Sequence, residues 1–167
     1  MSGLEQVKAA LAAALVQAGI TAVTTYGPKR LLDYDGPVVT VGVRRGESRQ
    51  IGLCDYLGEQ EDAATGQSRE VYGRLLDITL SLDTWADREA GAGTCQEMLE
   101  RIHEAVLSGL PAGLRPGDMA WEEVRWDQET GMFCQQGTLR CGAYLTATTQ
   151  EETGVLSDFI LKGVLID

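Results

Sequence analysis

A chain of 167 residues has the common size of one globular domain, and 44% hydrophobic with 23% charged residues suffices to bury a core rather than stay disordered. Fourteen Lys and Arg against 25 Asp and Glu leave a net charge of −11, the opposite of the basic patch that a general nucleic-acid binder carries. No stretch approaches the roughly 20 apolar residues of a membrane-spanning helix. Residues Met1 to Ala18 also lack the basic head and apolar run of a signal peptide, so a chain assembled in the cytoplasm, with no membrane partner, is expected.

In chain order, Leu4, Val7, Leu11, Leu15 and Ala18 recur at helical spacing and predict an amphipathic helix, opened by a Ser2–Glu5 capping box and closed at Gly19. Ala9, Ala10, Ala12, Ala13 and Ala14 supply the strongest helix former and a smooth flank that another element can approach closely. A short strand, Thr21 to Thr25, leads to a Gly27-Pro28 turn and the polar segment Lys29 to Gly36. Val38 to Arg44 predicts a strand with Val39, Val41 and Val43 on one face. Gln50 to Leu57 is expected as its hairpin partner across Arg45-Gly46-Glu47-Ser48, with Ile51, Leu53 and Leu57 facing inward. Gly58 to Arg69 is acidic, small and without periodicity, and is expected as a long loop. Connections of that length are uncommon in a compact domain unless functional or disordered, which makes Glu59, Glu61, Asp62 and Arg69 candidate assembly residues.

Arg74 to Thr84 alternates cleanly, with Leu76, Ile78, Leu80 and Leu82 on one face and Asp77, Thr79, Ser81 and Asp83 on the other, as a half-solvated antiparallel strand does. A second helix is expected after Gly91-Ala92-Gly93, with Thr94 and Glu97 as its capping box. Met98, Leu99, Ile102, Ala105 and Val106 form its apolar stripe, and Gly109 and Pro111 end it. Met119 to Trp126 and Gln136 to Thr148 predict strands, the second with Leu139, Cys141, Ala143, Leu145 and Ala147 on one face. The final strand, about Leu156 to Ile166, is apolar on both faces and so calls for a neighbour on each. Ile160 and Val164 are its candidate contact residues. Strands in runs rather than in alternation with helices define an α+β class. The expectation is one domain over residues 1–167, a mainly antiparallel sheet with an N-terminal helix and one central helix packed on it.

Residues able to carry chemistry are sparse. His103 is the only histidine, and no serine lies in a G-x-S-x-G elbow. The calcium-loop spacing is absent, and Gly91-Ala92-Gly93-Thr94 lacks the lysine of a phosphate-cradling loop. Glu122 and Glu123 are neighbours on a predicted strand and so face opposite sides. Cys54, Cys95, Cys134 and Cys141 form no C-x-x-C pair. Cys134 and Cys141 could meet across a hairpin, but a reducing compartment favours four free thiols. No catalytic, cofactor-binding or metal-binding residue is assigned, and no enzyme is expected. Trp121 and Trp126 have opposite parity in one strand, which predicts one in the core and one exposed. Trp85 ends its strand on the outward parity. Exposed tryptophans are enriched at interfaces, so Trp85 and Trp121 join the candidate assembly residues.

The layout as a whole resembles the tail terminator, or tail-completion, proteins of long-tailed bacteriophages and prophages. The resemblance rests on the N-terminal helix followed by Thr21-Ala-Val-Thr-Thr-Tyr-Gly-Pro28, and on the alternating strand Val71 to Leu82 leading into a single helix, Cys95 to Leu107. The closing strand Asp158 to Leu165 completes it. It implies a virion tail protein that forms a hexameric ring with copies of itself on the head-proximal end of the tail tube, ends tube polymerisation and joins the head. The implied partners are the tail tube protein and the head–tail connector protein. Genomic DNA would pass through the ring without specific binding, and six copies at −11 each would bring −66 to it, which repels phosphate. The competing expectations are another neck or tail part, such as a head–tail connector or contractile-tail initiator, and a small enzyme or binding module.

Overall fold

The computed structural model describes residues 3–25, 30–61, 66–111, 113–149 and 156–161, with side chains through residue 146. Helix α1 (Gly3–Gln17) buries Val7, Leu11, Ala12 and Leu15, while Leu4 and Ala18 stay on the exposed side. Its end is a Schellman motif. Gly19 takes φ +78, its N–H reaches the Val16 carbonyl at 2.9 Å, and the Ile20 N–H reaches Leu15 at 3.0 Å. Ile20 and Leu15 are both buried in the core, the apolar contact that such a cap sets up. The Ser2 half of the expected capping box lies outside the described residues, as does the Gly27-Pro28 turn.

Strand β1 (Ala22–Thr24) runs parallel to β2 (Val38–Gln50), and the other described pairings are antiparallel. β2 is one strand of 13 residues rather than the expected hairpin. Arg45 to Gln50 continues to pair, Arg45 with Thr79 and Gln50 with Arg74, after a bulge at Arg44. The residues expected as a turn are the wet half of this strand: Arg45, Glu47 and Arg49 take the face away from the helices, while Gly46 and Ser48, also exposed, take the other. A tight turn of 3-10 type, Leu53–Asp55, then reverses the chain, with Cys54 and Asp55 both at positive φ. Leu53, expected inward, is 85% exposed at its tip.

Of the expected loop Gly58 to Arg69, both ends are strand, and residues 62–65 lie outside the described residues. β3 (Tyr56–Glu61) pairs with the start of β4 (Ser68–Ala86) through Glu59 with Glu70, Gln60 with Arg69 and Glu61 with Ser68. Main-chain bonds and a solvated location on both faces, not apolar alternation, hold this hairpin, so no periodicity marks it. β4 carries 19 residues, about 60 Å of chain at ~3.3 Å per residue. Leu76, Ile78, Leu80 and Leu82 face the core and Asp77, Thr79 and Asp83 the other side.

Helix α2 (Ala92–Ser108) lays Met98, Leu99, Ile102 and Val106 on that core face, together with α1. Its N-cap is Gly91, not Thr94. The Thr94 hydroxyl instead donates to the Ala90 carbonyl at 2.7 Å, and no capping box forms. The predicted strand Met119 to Trp126 is broken in two. β5 (Leu114–Trp121) bulges between Pro116 and Met119, and β6 (Arg125–Asp127) pairs with β7 (Met132–Gln135), a strand with no sequence signal of its own. Trp121 and Trp126 therefore escape a common parity, and both are exposed, at 55% and 41%. β8 (Gly137–Thr149) pairs along β4 from Ser81 to Val71, with Leu139, Cys141, Ala143 and Leu145 on the core parity as expected. β9 (Leu156–Leu161) pairs with the end of β8, and Lys162 to Asp167 lie outside the described residues.

The class is the expected one: a single mixed sheet, mainly antiparallel, with the N-terminal and central helices on one face. The core is the layer between them, where each fully buried Leu, Ile or Val contributes roughly 1.5–3 kcal/mol.

Candidate assembly interface

β4 and β8 pair past the middle of the core, and the sheet continues there as a four-stranded arm, β3-β4-β8-β9, whose β9 side α1 still touches. Tyr56 pairs with Tyr72 at the root of the arm, their rings edge to face at 5.6 Å. The Tyr72 hydroxyl donates to Glu70 at 2.8 Å, and that bond, with the negative charge it faces, holds its pKa above the usual phenol range. Gly73 is required at this root. A Cβ there would sit 2.8 Å from the Leu145 carbonyl and 2.7 Å from the Leu57 side chain. Farther out, Ser68 donates to Glu59 at 2.9 Å. Among the described strands β3 pairs only with β4, and β9 only with β8, so both sides of the arm end in an edge.

The sequence-derived candidates divide between the two ends of the sheet. Glu59, Glu61 and Arg69 gather in the arm, and Ile160 is on β9 opposite Thr146, in the same arm. Trp85 and Trp121 are at the other end. Trp85 pairs with Val38 and Cys134, is half-buried, and donates its indole N–H to the Thr40 hydroxyl at 3.0 Å. Beside it the Asp83 Oδ1 is buried without a hydrogen bond, though it is ion-paired with Arg44. Burial raises its pKa, against the lowering effect of Arg44 at 3.8 Å. Asp62 and Val164 lie outside the described residues.

Two groups escaped the sequence reading. On the sheet face away from the helices, Arg45, Arg49 and Arg140 surround Glu47 and Asp77. Arg140 reaches Asp77 at 2.8 Å and Arg49 reaches it at 3.6 Å, while Glu47 takes both Arg45 and Arg49. Alternating charge at positions 45, 47 and 49 was the available signal, spent on a turn. The second group is a cleft of about 580 Å³ between α2 and the ends of β5 and β7. Glu100, His103, Glu104, Trp121 and Gln135 line it. Trp121 stands edge to face with His103 at 6.5 Å. The alanine flank of α1 lines a separate open groove of about 780 Å³ against the end of α2.

All four cysteines are free thiols. Cys54 is exposed and the other three are buried, and burial pushes Cys134 up to about 12 and Cys141 up to about 11. Among the described residues no three His, Cys, Asp or Glu are grouped to hold a metal ion, and no helix is long and apolar enough to cross a membrane. The chain matches no known protein family and no curated protein sequence.

Proposed function

We propose that the protein is a structural subunit of a phage-type tail: a terminator that forms a ring, hexameric by the resemblance, on the head-proximal end of the tail tube. It stops tube polymerisation and presents the surface to which the head–tail connector docks. Its partners are copies of itself, the tail tube protein and that connector. It is assembled in the host cytoplasm and resides in the virion tail. The observation that carries this reading is the arm. A sheet that runs on as such an arm, with an edge on each side that no other described strand pairs, is a surface for strand addition by another chain.

The edges differ in what they admit. β3 ends in Glu59-Gln60-Glu61, so two β3 edges laid together would face carboxylate with carboxylate. β5 carries Pro116 and a bulge, which interrupt its ladder. Pairing of unlike edges is the outcome these features favour, and a tube end or a neighbouring subunit supplies an unlike edge. No polar site is needed for such a role, and the acidic surface suits a channel through which DNA slides.

The test replaces Glu59 to Ser68 by a short Gly-Ser link. The core lies beyond the deletion, so the variant is expected to fold, with circular dichroism and melting close to wild type. It is expected to lose the ability to stop polymerisation of purified tail tubes, which the intact protein does. A folded variant that caps normally would remove the arm from the mechanism. An intact protein that never caps would sink the reading as a whole.

A further inference from the structure

The cleft beneath α2 carries several acceptors alongside His103. Glu100 and Glu104 stand on its helix wall, and neither side chain has an ion-pair partner among the described residues. Trp121, at 55% exposure, presents its indole to the opening. Gln135 is 3% exposed and donates its Nε2 to the Glu122 carbonyl at 2.8 Å, which leaves its Oε1 covered and without a donor. An unmet buried acceptor stays unfavourable until a donor arrives. Two carboxylates, an aromatic face and a spare amide oxygen are together the complement of a planar, many-donor cation. A guanidinium can pair with a carboxylate in bidentate fashion, stack on tryptophan and still have an N–H left for an amide oxygen.

The chain carries such groups on the opposite side of its sheet. Arg45, Arg49 and Arg140 keep side chains 74%, 60% and 55% exposed, and the three cations share only Glu47 and Asp77. The cluster has a surplus of positive charge on a molecule that is otherwise strongly acidic. Their ion pairs do not use up the five N–H groups that each guanidinium offers.

We propose that the cleft under α2 is a socket for an arginine of a second copy of this chain, supplied by the Arg45–Arg49–Arg140 cluster. The inference deepens the ring reading and rests on it. Socket and cluster are on opposite faces of one sheet, so a two-fold pair, whose contacts are reciprocal, cannot join the one to the other. The contact repeats head to tail, and repetition closes a ring or runs on as a filament. Neither surface alone specifies this geometry; their placement on opposed faces does.

The experiment is reciprocal charge reversal in the full-length chain, read by sedimentation. Glu100→Arg/Glu104→Arg and, separately, Arg45→Glu/Arg49→Glu are each expected to raise the concentration for half-assembly by at least about tenfold. Mixing the two variants is expected to restore assembly, since each then meets a neighbour of opposite charge, and a misfolded chain could not be rescued this way. Arg45→Gln/Arg49→Gln, which puts no like charges beside Glu47, is expected to weaken assembly while remaining folded by circular dichroism. Unchanged assembly in the socket variant or in the Gln variant, or folded reversed chains that fail to recover on mixing, would overturn the socket. If the wild type forms its ring by other contacts, the socket variant still caps tail tubes, so the inference fails while the terminator reading stands. If the wild type neither assembles nor caps, the terminator reading fails first.

Discussion

Leu80→Ala tests the central packing directly. Leu80 is fully buried on β4, with Val43 of β2 on one side and Leu139 of β8 on the other. The change removes three carbons, worth about 2.4 kcal/mol of transfer at ~0.8 kcal/mol each. The hole cannot close easily, because both flanking strands are tied to β4 by hydrogen bonds along their length. A cavity term then brings the expected loss to about 3–4 kcal/mol. At roughly 2–4 °C per kcal/mol for a chain of this size, the melting temperature should fall by about 6–16 °C. Urea melts at one fixed protomer concentration would measure the loss, with Leu75→Ala as control. Leu75 is next to Arg74 on the half-buried opposite face and should cost about 1 kcal/mol or less. A Leu80→Ala loss below that of the control would mean that the faces of β4 are assigned the wrong way round.

Thiol titration without reductant should find four free cysteines in denatured protein, but only Cys54 reacting promptly in native protein, because the others are buried. A count of two, or fast reaction of all four, would contradict the structure. Cys134 and Cys141 stay protonated in the fold to about 12 and about 11, whereas unfolded thiols ionise near 8.5. The unfolded state therefore binds fewer protons across that window, and stability should fall as pH rises from about 9, a slope that Cys134→Ala should reduce. Asp83 has its pKa raised by burial, so its charge opposes folding at neutral pH and less so as the carboxyl protonates. Asp83→Asn should raise stability at pH 7 in urea melts, with the gain shrinking in acid. The protein should leave double-stranded DNA unshifted at physiological salt, and micromolar binding in a mobility-shift assay would speak against an acidic channel.

Long elements that bury an apolar face were legible in the sequence, and solvated or very short ones were missed. The stripe of α2 and the parities of β4 and β8 leave a pattern because one side meets the core. The second half of β2 and the β3–β4 pair leave none, and β7, although it buries Met132 and Cys134, is too short at four residues to show a period. Arg45-Gly46-Glu47-Ser48 has turn composition, yet its partner on β4 was already fixed by the bulge at Arg44, which keeps Val43 inward and turns Arg45 outward. Glu59 to Glu61 and Ser68 lack apolar alternation because they meet solvent on both faces. The tryptophans failed for a related reason: parity holds only within an unbroken strand, and residues 122–124 break it. Of the candidate interface residues, Glu59, Glu61 and Arg69 were read as a loop and stand instead on paired strands. The acceptor cleft was invisible, since Glu100 and Glu104 come from α2, Trp121 from β5 and Gln135 from β7.

The two candidate surfaces point in different directions, which assigns them different work. The arm offers edges in the plane of the sheet, at the end where β4 pairs with β3 and β8 with β9. The socket and the arginine cluster face away from that plane on its two sides. A chain added through an edge extends the sheet; a chain added through the faces stacks another sheet upon it. A ring built by stacking leaves every arm edge free, so each subunit can still receive a strand from the tube end. A ring built by edge pairing would use up those edges and leave cluster and socket without partners. Stacking is therefore the arrangement in which both surfaces are satisfied at once. It separates the variants cleanly: loss of the arm should abolish capping with the ring intact, and reversal of the socket should abolish the ring with the arm intact.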